Sequence, residues 1–148
     1  MPMATTTPEQ IFSIANGAAA LAWLLLAVLP RRRWVTNVVT STVVPAGFAL
    51  AYVLIVFTQF LGAPGSFSSL SGVQILFRSP WLLLAGWLHY LAFDLLVGAW
   101  EVRDANERGI PRFIVVPCLF LTFMFGPMGW LLYRVVSASR ARALPLNS

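Results

Sequence analysis

Long apolar runs separated by short polar segments dominate the pattern of this chain. Four of these runs have the length of about 20 helical residues that crosses the hydrocarbon core of a bilayer. They cover residues 11–30, 43–61, 81–102 and 112–136. Because a backbone in hydrocarbon must satisfy its own hydrogen bonds, each run is predicted to be an α-helix. The alternation typical of a membrane β-barrel strand is absent from the four runs.

The composition supports a membrane protein. Hydrophobic residues make up 59% of the 148 residues and charged residues only 10%, whereas a soluble domain carries about 25% charged residues. A soluble chain of this length could not bury so much apolar surface in one core. The predicted fold is therefore all-α: an integral membrane bundle of four transmembrane helices that forms a single domain over residues 1–148.

Two interruptions of the apolar pattern carry further predictions. The connection over residues 62–80 is rich in Gly, Ser and Pro, and its apolar stretch GVQILF is too short to span a membrane. We expect this stretch to be a brief interfacial helix before the third span. In the fourth run, Pro117 and Pro127 remove backbone donors, and Gly126 precedes the second proline. That helix is predicted to be kinked or locally unwound, so that another helix or a ligand can approach its backbone.

Charge bears on orientation and location. All ten basic residues are arginines, and four crossings would place four of them on the side of both termini and six on the other side. The positive-inside rule then favours termini that face away from the cytoplasm. The first run lacks the features of a cleavable signal peptide, and no leader rich in Ser and Arg precedes it. We therefore expect a bacterial inner membrane rather than a plastid membrane.

The stretch WLHYLAFDLLVGAWEVRDA places polar groups inside the third run. At 100° per residue, Tyr90, Asp94, Glu101 and Asp104 share one stripe of the helix. Asp94 falls within the hydrocarbon, where an acidic side chain faces the bundle interior or marks a functional site. The alternative is a carboxyl group that only fixes helix packing. His89 lies about 140° around the helix from Asp94, and a neutral, structurally hydrogen-bonded imidazole is the alternative for that residue.

The acidic residues near the end of the third run have a simpler interpretation. Glu101 and Asp104 lie at or beyond the membrane boundary, and we expect solvated charges that pair with nearby arginines, namely Arg103, Arg108 or Arg112. Cys118 is the only cysteine, which excludes an internal disulfide. The sequence contains no nucleotide-binding loop and no zinc motif, so neither a cofactor nor a metal is expected.

The third and fourth runs together resemble a known family. The stretch WLHYLAFDLLVGAWEVRDA, followed by GIPRFIVVPCLFLTFMFGPMGWLLY, is similar to the abscisic-acid-deficient-four-like family, small membrane proteins related to a plant plastid protein needed to make neoxanthin. The resemblance also covers the lead-in LSGVQILFRSPWLLLAGW, whereas the first two runs agree in hydropathy and placement. It implies a four-helix membrane protein of carotenoid and xanthophyll metabolism.

The resemblance also implies a reaction. Conversion of violaxanthin to neoxanthin opens an epoxide and leaves an allene, which requires one group to protonate the epoxide oxygen and another to remove a proton from a polyene carbon. His89 and Asp94 match the HYLAFD stretch of the family and are the predicted catalytic pair, with Asp94 as acid and His89 as base or with these roles exchanged. The predicted substrate-binding residues are Tyr52, Tyr90, Glu101, Pro117, Thr122 and Pro127.

Two functions of different classes follow. The first is a carotenoid isomerase similar to a neoxanthin synthase, and the second is a non-catalytic carotenoid- or isoprenoid-binding protein that assists assembly of a pigment complex. A small transporter or proton channel is a weaker third interpretation. The expected partners are a carotenoid or other isoprenoid lipid and the membrane, without nucleic acid. Assembly into a homo-oligomer and association with a partner enzyme are both left open by the sequence.

Overall fold

The computed structural model describes residues 7–143, with side chains described for residues 7–140. Within this part of the chain every regular element is helical, which confirms the all-α prediction. The elements are α1 (Pro8–Val28), a π-helical segment (Val35–Val43) that continues into α2 (Val44–Gln59), α3 (Leu70–Leu76), α4 (Pro80–Glu107), α5 (Arg112–Phe125) and α6 (Pro127–Ala143).

Among residues 7–143, three helices are long and apolar enough to cross a membrane. They are α1, the continuous helix over residues 35–59 and α4, and they agree with the first three predicted spans. The predicted fourth span differs, because residues 112–136 do not form one helix. Its first part, α5, is apolar but has only 14 residues, which is about 21 Å of helix and less than the bilayer core requires. The predicted count of four spans is therefore not confirmed.

The chain turns back on itself between α5 and α6. Gly126 ends α5 with φ +47° and ψ −96°, a conformation that glycine adopts readily. Pro127 then begins α6 and has no N–H group to continue the α5 ladder. In a straight helix, Tyr133 would lie about 16 Å beyond Thr122. Instead, the Tyr133 hydroxyl donates to Asp104 at 2.6 Å, near the start of α5. The break predicted at Pro127 is confirmed and produces a helical hairpin, whereas Pro117 lies inside α5 and does not end it.

Helix α4 lies at the centre of the molecule and packs against every other long helix. One of its faces meets α1 and α2 in an apolar cluster, and another meets α1 and the α5–α6 hairpin in a second cluster. Close packing with α1 depends on Gly98, because a Cβ atom at that position would overlap the ring of Trp23. Glu101 of α4 is thus buried between neighbouring helices and Tyr90, Asp94 and Asp104 are half-buried there, whereas His89 is exposed.

Helix α4 is longer than predicted and the second span begins earlier. The end of α4 continues to Glu107 because Asp104 accepts a hydrogen bond from Arg108 at 2.8 Å, one turn later. The π-helical segment precedes α2 because hydroxyl groups bond to carbonyl oxygens five residues back, as Thr40 does to Val35 at 2.9 Å. Arg103 of α4 donates to the segment at the Thr36 carbonyl oxygen.

The hairpin changes the distribution of charge. Because α6 returns toward the end of α4 from which α5 started, its arginines lie at the same end of the molecule as the connections after α1 and α4. Of the nine arginines whose side chains the structure describes, eight therefore share one end, and Arg78 lies at the other. By the positive-inside rule we expect the arginine-rich end to face the cytoplasm, and the difference between the two ends is larger than the predicted six to four.

Cysteine labelling distinguishes the hairpin from a fourth span. In a Cys118→Ser background, the exposed residues Ser68, Glu107 and Ser139 are replaced one at a time by cysteine. We expect a membrane-impermeant maleimide to label positions 107 and 139 from one side of sealed vesicles and position 68 from the other. Labelling of positions 68 and 139 from the same side would show a complete fourth crossing.

Candidate functional site

The polar stripe of α4 faces the α5–α6 hairpin. Four side chains on this stripe make contacts there: Tyr90 with Phe123, Asp94 with Gly126, Glu101 with Thr122, and Asp104 with Tyr133. The common stripe predicted from the 100° periodicity is thus present. The structure adds that its partner is a single hairpin whose turn lies beside Asp94.

Asp94 is the polar residue with the least satisfied side chain. It is half-buried, and its Oδ2 atom is buried without a hydrogen-bond partner among the described residues. A Cβ atom at Gly126 would lie 2.8 Å from Asp94 Oδ1, so only glycine lets the turn approach the carboxyl group so closely. Asp94 therefore has an acceptor atom available for a further donor.

Tyr90 lies one turn before Asp94 and is anchored at both ends. Its hydroxyl donates to the Phe123 carbonyl oxygen at 3.3 Å, and its ring lies against Trp87 with centroids 5.2 Å apart. Trp87 in turn donates from Nε1 to Asn16 Oδ1 at 3.0 Å. These contacts connect α1, α4 and α5 and fix the phenol group beside Asp94 on the same face of α4.

The prediction that Glu101 is a solvated charge at the membrane boundary is wrong. Its side chain is 0% exposed, and the Thr122 hydroxyl lies 3.0 and 3.2 Å from its two carboxyl oxygens. The same hydroxyl lies 3.0 Å from the Cys118 carbonyl oxygen. One hydroxyl hydrogen cannot serve all three acceptors. A protonated Glu101 completes the set, because it can donate to Thr122 while Thr122 donates to Cys118.

Asp104, in contrast, forms an ion pair with Arg108, one of the three arginines that the sequence indicated as partners. Its Oδ2 atom accepts from Arg108 Nε at 2.8 Å and from the Tyr133 hydroxyl. The Asp104 carboxylate raises the pKa of Arg108, which lies outside the spans, chiefly through this hydrogen bond. The hydrogen bond from Tyr133 to Asp104 joins α6 to the end of α4 and holds the returning arm of the hairpin in place.

His89 lies on a different face of α4 from Asp94. Its ring contacts Tyr52 of α2 and Phe93, with centroids 5.6 and 4.6 Å apart. It lines a cavity of about 250 Å³ between α2, α3 and α4, whose other walls are mostly aromatic and aliphatic. The structure therefore brings His89 together with Tyr52, but it does not bring His89 and Asp94 into one contact.

A second cavity lies on the other side of Gly86. It has a volume of about 520 Å³ and is lined by Trp87, Tyr90 and Phe12, among others. Both cavities share Gly86 and Phe77 as lining residues. The Phe77 ring separates them, with its Cζ atom 3.2 Å from the position of a Cβ atom on Gly86. Tyr90 lines the larger cavity, whereas Asp94 lines neither of the two.

The predicted substrate-binding residues thus fall into three places. Tyr52 lines the smaller cavity and Tyr90 the larger one, while Glu101 and Thr122 bond to each other in the interior. Pro117 lies inside α5, and Pro127 forms the first residue of α6. Their roles toward a ligand stay predictions. Within the described part of the chain, no three His, Cys, Asp or Glu side chains form a group that could hold a metal ion.

Sequence reasoning missed the residues that shape the cavities. Gly86 precedes His89 and Tyr90 by three and four residues, a spacing that places both side chains next to Gly86 on the helix surface. This spacing could have identified Gly86 from the sequence. Phe77 follows the short α3 helix in sequence but meets α4 only through the tertiary fold. Nothing in its local pattern indicates that contact.

Comparison with known proteins identifies a family. The model of the ABA DEFICIENT 4-like (ABA4-like) family matches residues 10–133, which cover most of the chain. The match includes α1 from residue 10 onward, the other two spans and α5. No curated protein and no solved structure matches the chain. The family match indicates a membrane protein related to carotenoid and xanthophyll metabolism.

The contact between Gly126 and Asp94 generates a stability prediction. Gly126→Ala places a Cβ atom against the carboxyl group at a backbone angle that strains any other residue, and we expect a loss of about 1–3 kcal/mol in the free energy of unfolding. Gly17→Ala is the matched control, because nothing lies within 4 Å of its Cβ position. Thermal unfolding in detergent measures both variants. Equal midpoints for the two would contradict the close turn.

Proposed function

Since this chain belongs to the ABA DEFICIENT 4-like family, we propose that it binds an epoxy-carotenoid or a related isoprenoid and isomerises it by acid–base chemistry. The proposal joins the family match to three features of the structure. These are two apolar cavities, a glycine at their junction, and the half-buried carboxyl group of Asp94, one oxygen of which has no hydrogen-bond partner among the described residues.

The two cavities suit the chain of a polyene. Their walls are apolar and aromatic, as expected of a site that takes a hydrophobic ligand with a few polar groups for orientation. Gly86 has no side chain to block passage over α4, and the Phe77 ring, which is 42% exposed, has room to turn aside. A ligand that crosses α4 at Gly86 would then occupy both cavities.

Polar groups flank this crossing point on both sides. His89 lies one turn beyond Gly86 in the smaller cavity, and Tyr90 lies in the larger cavity. Asp94 follows Tyr90 by one turn on the same face of α4. In this proposal the Tyr90 hydroxyl turns from the Phe123 carbonyl oxygen and gives its proton to the ligand, and Asp94 replaces that proton. His89 acts as base from the other cavity. Two groups that do not touch each other can thus act on one ligand.

The proposed reaction conserves atoms and electrons. A proton reaches the epoxide oxygen, the carbon–oxygen bond breaks, and its electron pair stays on oxygen as a hydroxyl group. The base removes a proton from a polyene carbon, and the electrons of that carbon–hydrogen bond form the new double bond of the allene. One proton is given and one is taken, so the reaction needs no redox partner.

The observation that carries the proposal is the buried Oδ2 atom of Asp94, which has no partner among the described residues. An acidic side chain in a membrane interior is costly and by default indicates a functional site. A carboxyl group used only for packing would be expected to have both oxygens bonded.

A second function has its own support. His89 and Asp94 face different neighbours of α4, which favours a non-catalytic carotenoid- or isoprenoid-binding protein in which the cavities hold the ligand and the carboxyl group stabilises the turn. Both functions place the protein in a membrane. Its location in a bacterial inner membrane stays a prediction.

Pigment analysis in a host that makes epoxy-carotenoids tests the isomerase. We expect the wild type to produce a new carotenoid, and Asp94→Asn to lower its yield at least tenfold because one general acid contributes about 10²–10⁴-fold. Glu107→Gln is the matched control, since it removes an exposed carboxylate at the end of α4. Full activity of Asp94→Asn at equal protein level would contradict catalysis by this residue.

A second pair of variants tests the ligand site. Gly86→Val should reduce the carotenoid that co-purifies, because its side chain narrows both cavities, whereas Gly47→Val meets nothing within 4 Å of its Cβ and should leave the amount unchanged. Loss of pigment in Gly86→Val, with full pigment and no product in the wild type, would favour the binding function. Equal pigment in both variants would place the ligand elsewhere.

A further inference from the structure

A cleft at the arginine-rich end combines cationic side chains with an apolar wall. It has a volume of about 370 Å³ and lies between the end of α1 and the start of α5. Arg31, Arg32 and Arg112 line its outer part. The inner wall is formed by Val116 and Leu119, and Leu119 lies about 10 Å deeper than Arg112 along α5.

The arginines of this cleft are free to bind an anion. Arg103 and Arg108, which belong to the same end, already donate to Thr36 and Asp104. In the described part of the chain, no acidic side chain pairs with Arg31, Arg32 or Arg112. A phosphate group, to which arginine offers a rigid fork of donors, would therefore compete with no internal partner.

The framework of the cleft is fixed by the fold. Asn106 of α4 donates from Nδ2 to the Pro30 carbonyl oxygen at 2.7 Å, which holds the connection that carries Arg31 and Arg32 against α4. Arg112 is the first residue of α5, so the positive end of the helix dipole lies beside it. These features place positive charge at one end of the cleft and apolar side chains at the other.

We propose that this cleft binds an anionic phospholipid, with the phosphate headgroup on the three arginines and the upper part of an acyl chain along Val116 and Leu119. The site is separate from the two cavities on either side of Gly86 and does not depend on the proposed reaction. A free phosphate ion would need only the arginines, whereas a lipid uses the whole cleft. The position is also suitable, because basic pockets between helices on the cytoplasmic side bind anionic headgroups.

Native mass spectrometry of protein released from nanodiscs tests the site. With phosphatidylglycerol and phosphatidylcholine present together, we expect retention of phosphatidylglycerol in preference. Arg32→Gln combined with Arg112→Gln should weaken retention about thirty-fold, since each arginine near the surface contributes about fivefold. Arg78→Gln combined with Arg140→Gln removes equal charge outside the cleft and should change retention less than about twofold.

Two further measurements separate the sources of phosphate and exclude a general charge effect. Val116→Trp, which fills the apolar wall and keeps every arginine, should weaken retention of phosphatidylglycerol. Calorimetric titration with inorganic phosphate should show no binding in the same concentration range. Equal retention of both lipids, equal loss in the two double variants, or tight inorganic phosphate binding that Val116→Trp leaves intact would each overturn the proposal. Unchanged thermal midpoints show that the variants are folded.

Discussion

The close approach of the α5–α6 turn to Asp94 is the constraint on which the rest of the structure depends. Gly126 provides the backbone angle and the missing side chain that this approach requires, and Pro127 prevents α5 from continuing. The hairpin then covers the polar stripe of α4 from Tyr90 to Asp104. As a result the polar side chains of this stripe face protein. The irregular backbone of the turn at Gly126 also packs against α4, and such backbone is tolerated at membrane depth where protein surrounds it.

The same turn gives the molecule two chemically different ends. At one end, α3 and the first half of α4 form aromatic cavities beside His89 and Tyr90. At the other end, the returning α6 adds its arginines to those that follow α1 and α4. The acid of Asp94 lies between these ends, one turn from the larger cavity. A hydrophobic ligand and an anionic headgroup would thus bind in different places without competing.

Local pattern predicted much of this fold. The first three spans, the short helix after residue 69, the stripe on α4 and the Asp104–Arg108 pair all follow from periodicity and spacing. The reversal of the chain within residues 112–136 could not be predicted in this way, because a proline can kink a helix without reversing it. Only the contacts with Asp94 and Asp104 decide the direction of α6. Glu101 was misplaced for a related reason: its burial comes from α5, whose Thr122 no local pattern connects to it.

A distance measurement tests the hairpin most directly. Spin labels at Phe113→Cys and Ser139→Cys, in a Cys118→Ser background and in a lipid bilayer, report the separation of the two arms by pulsed electron resonance. A hairpin places these positions at similar depth and about 10–20 Å apart, given the usual spacing of packed helices plus the labels. A continuous helix would separate them by about 39 Å, and a distance near that value would contradict the account.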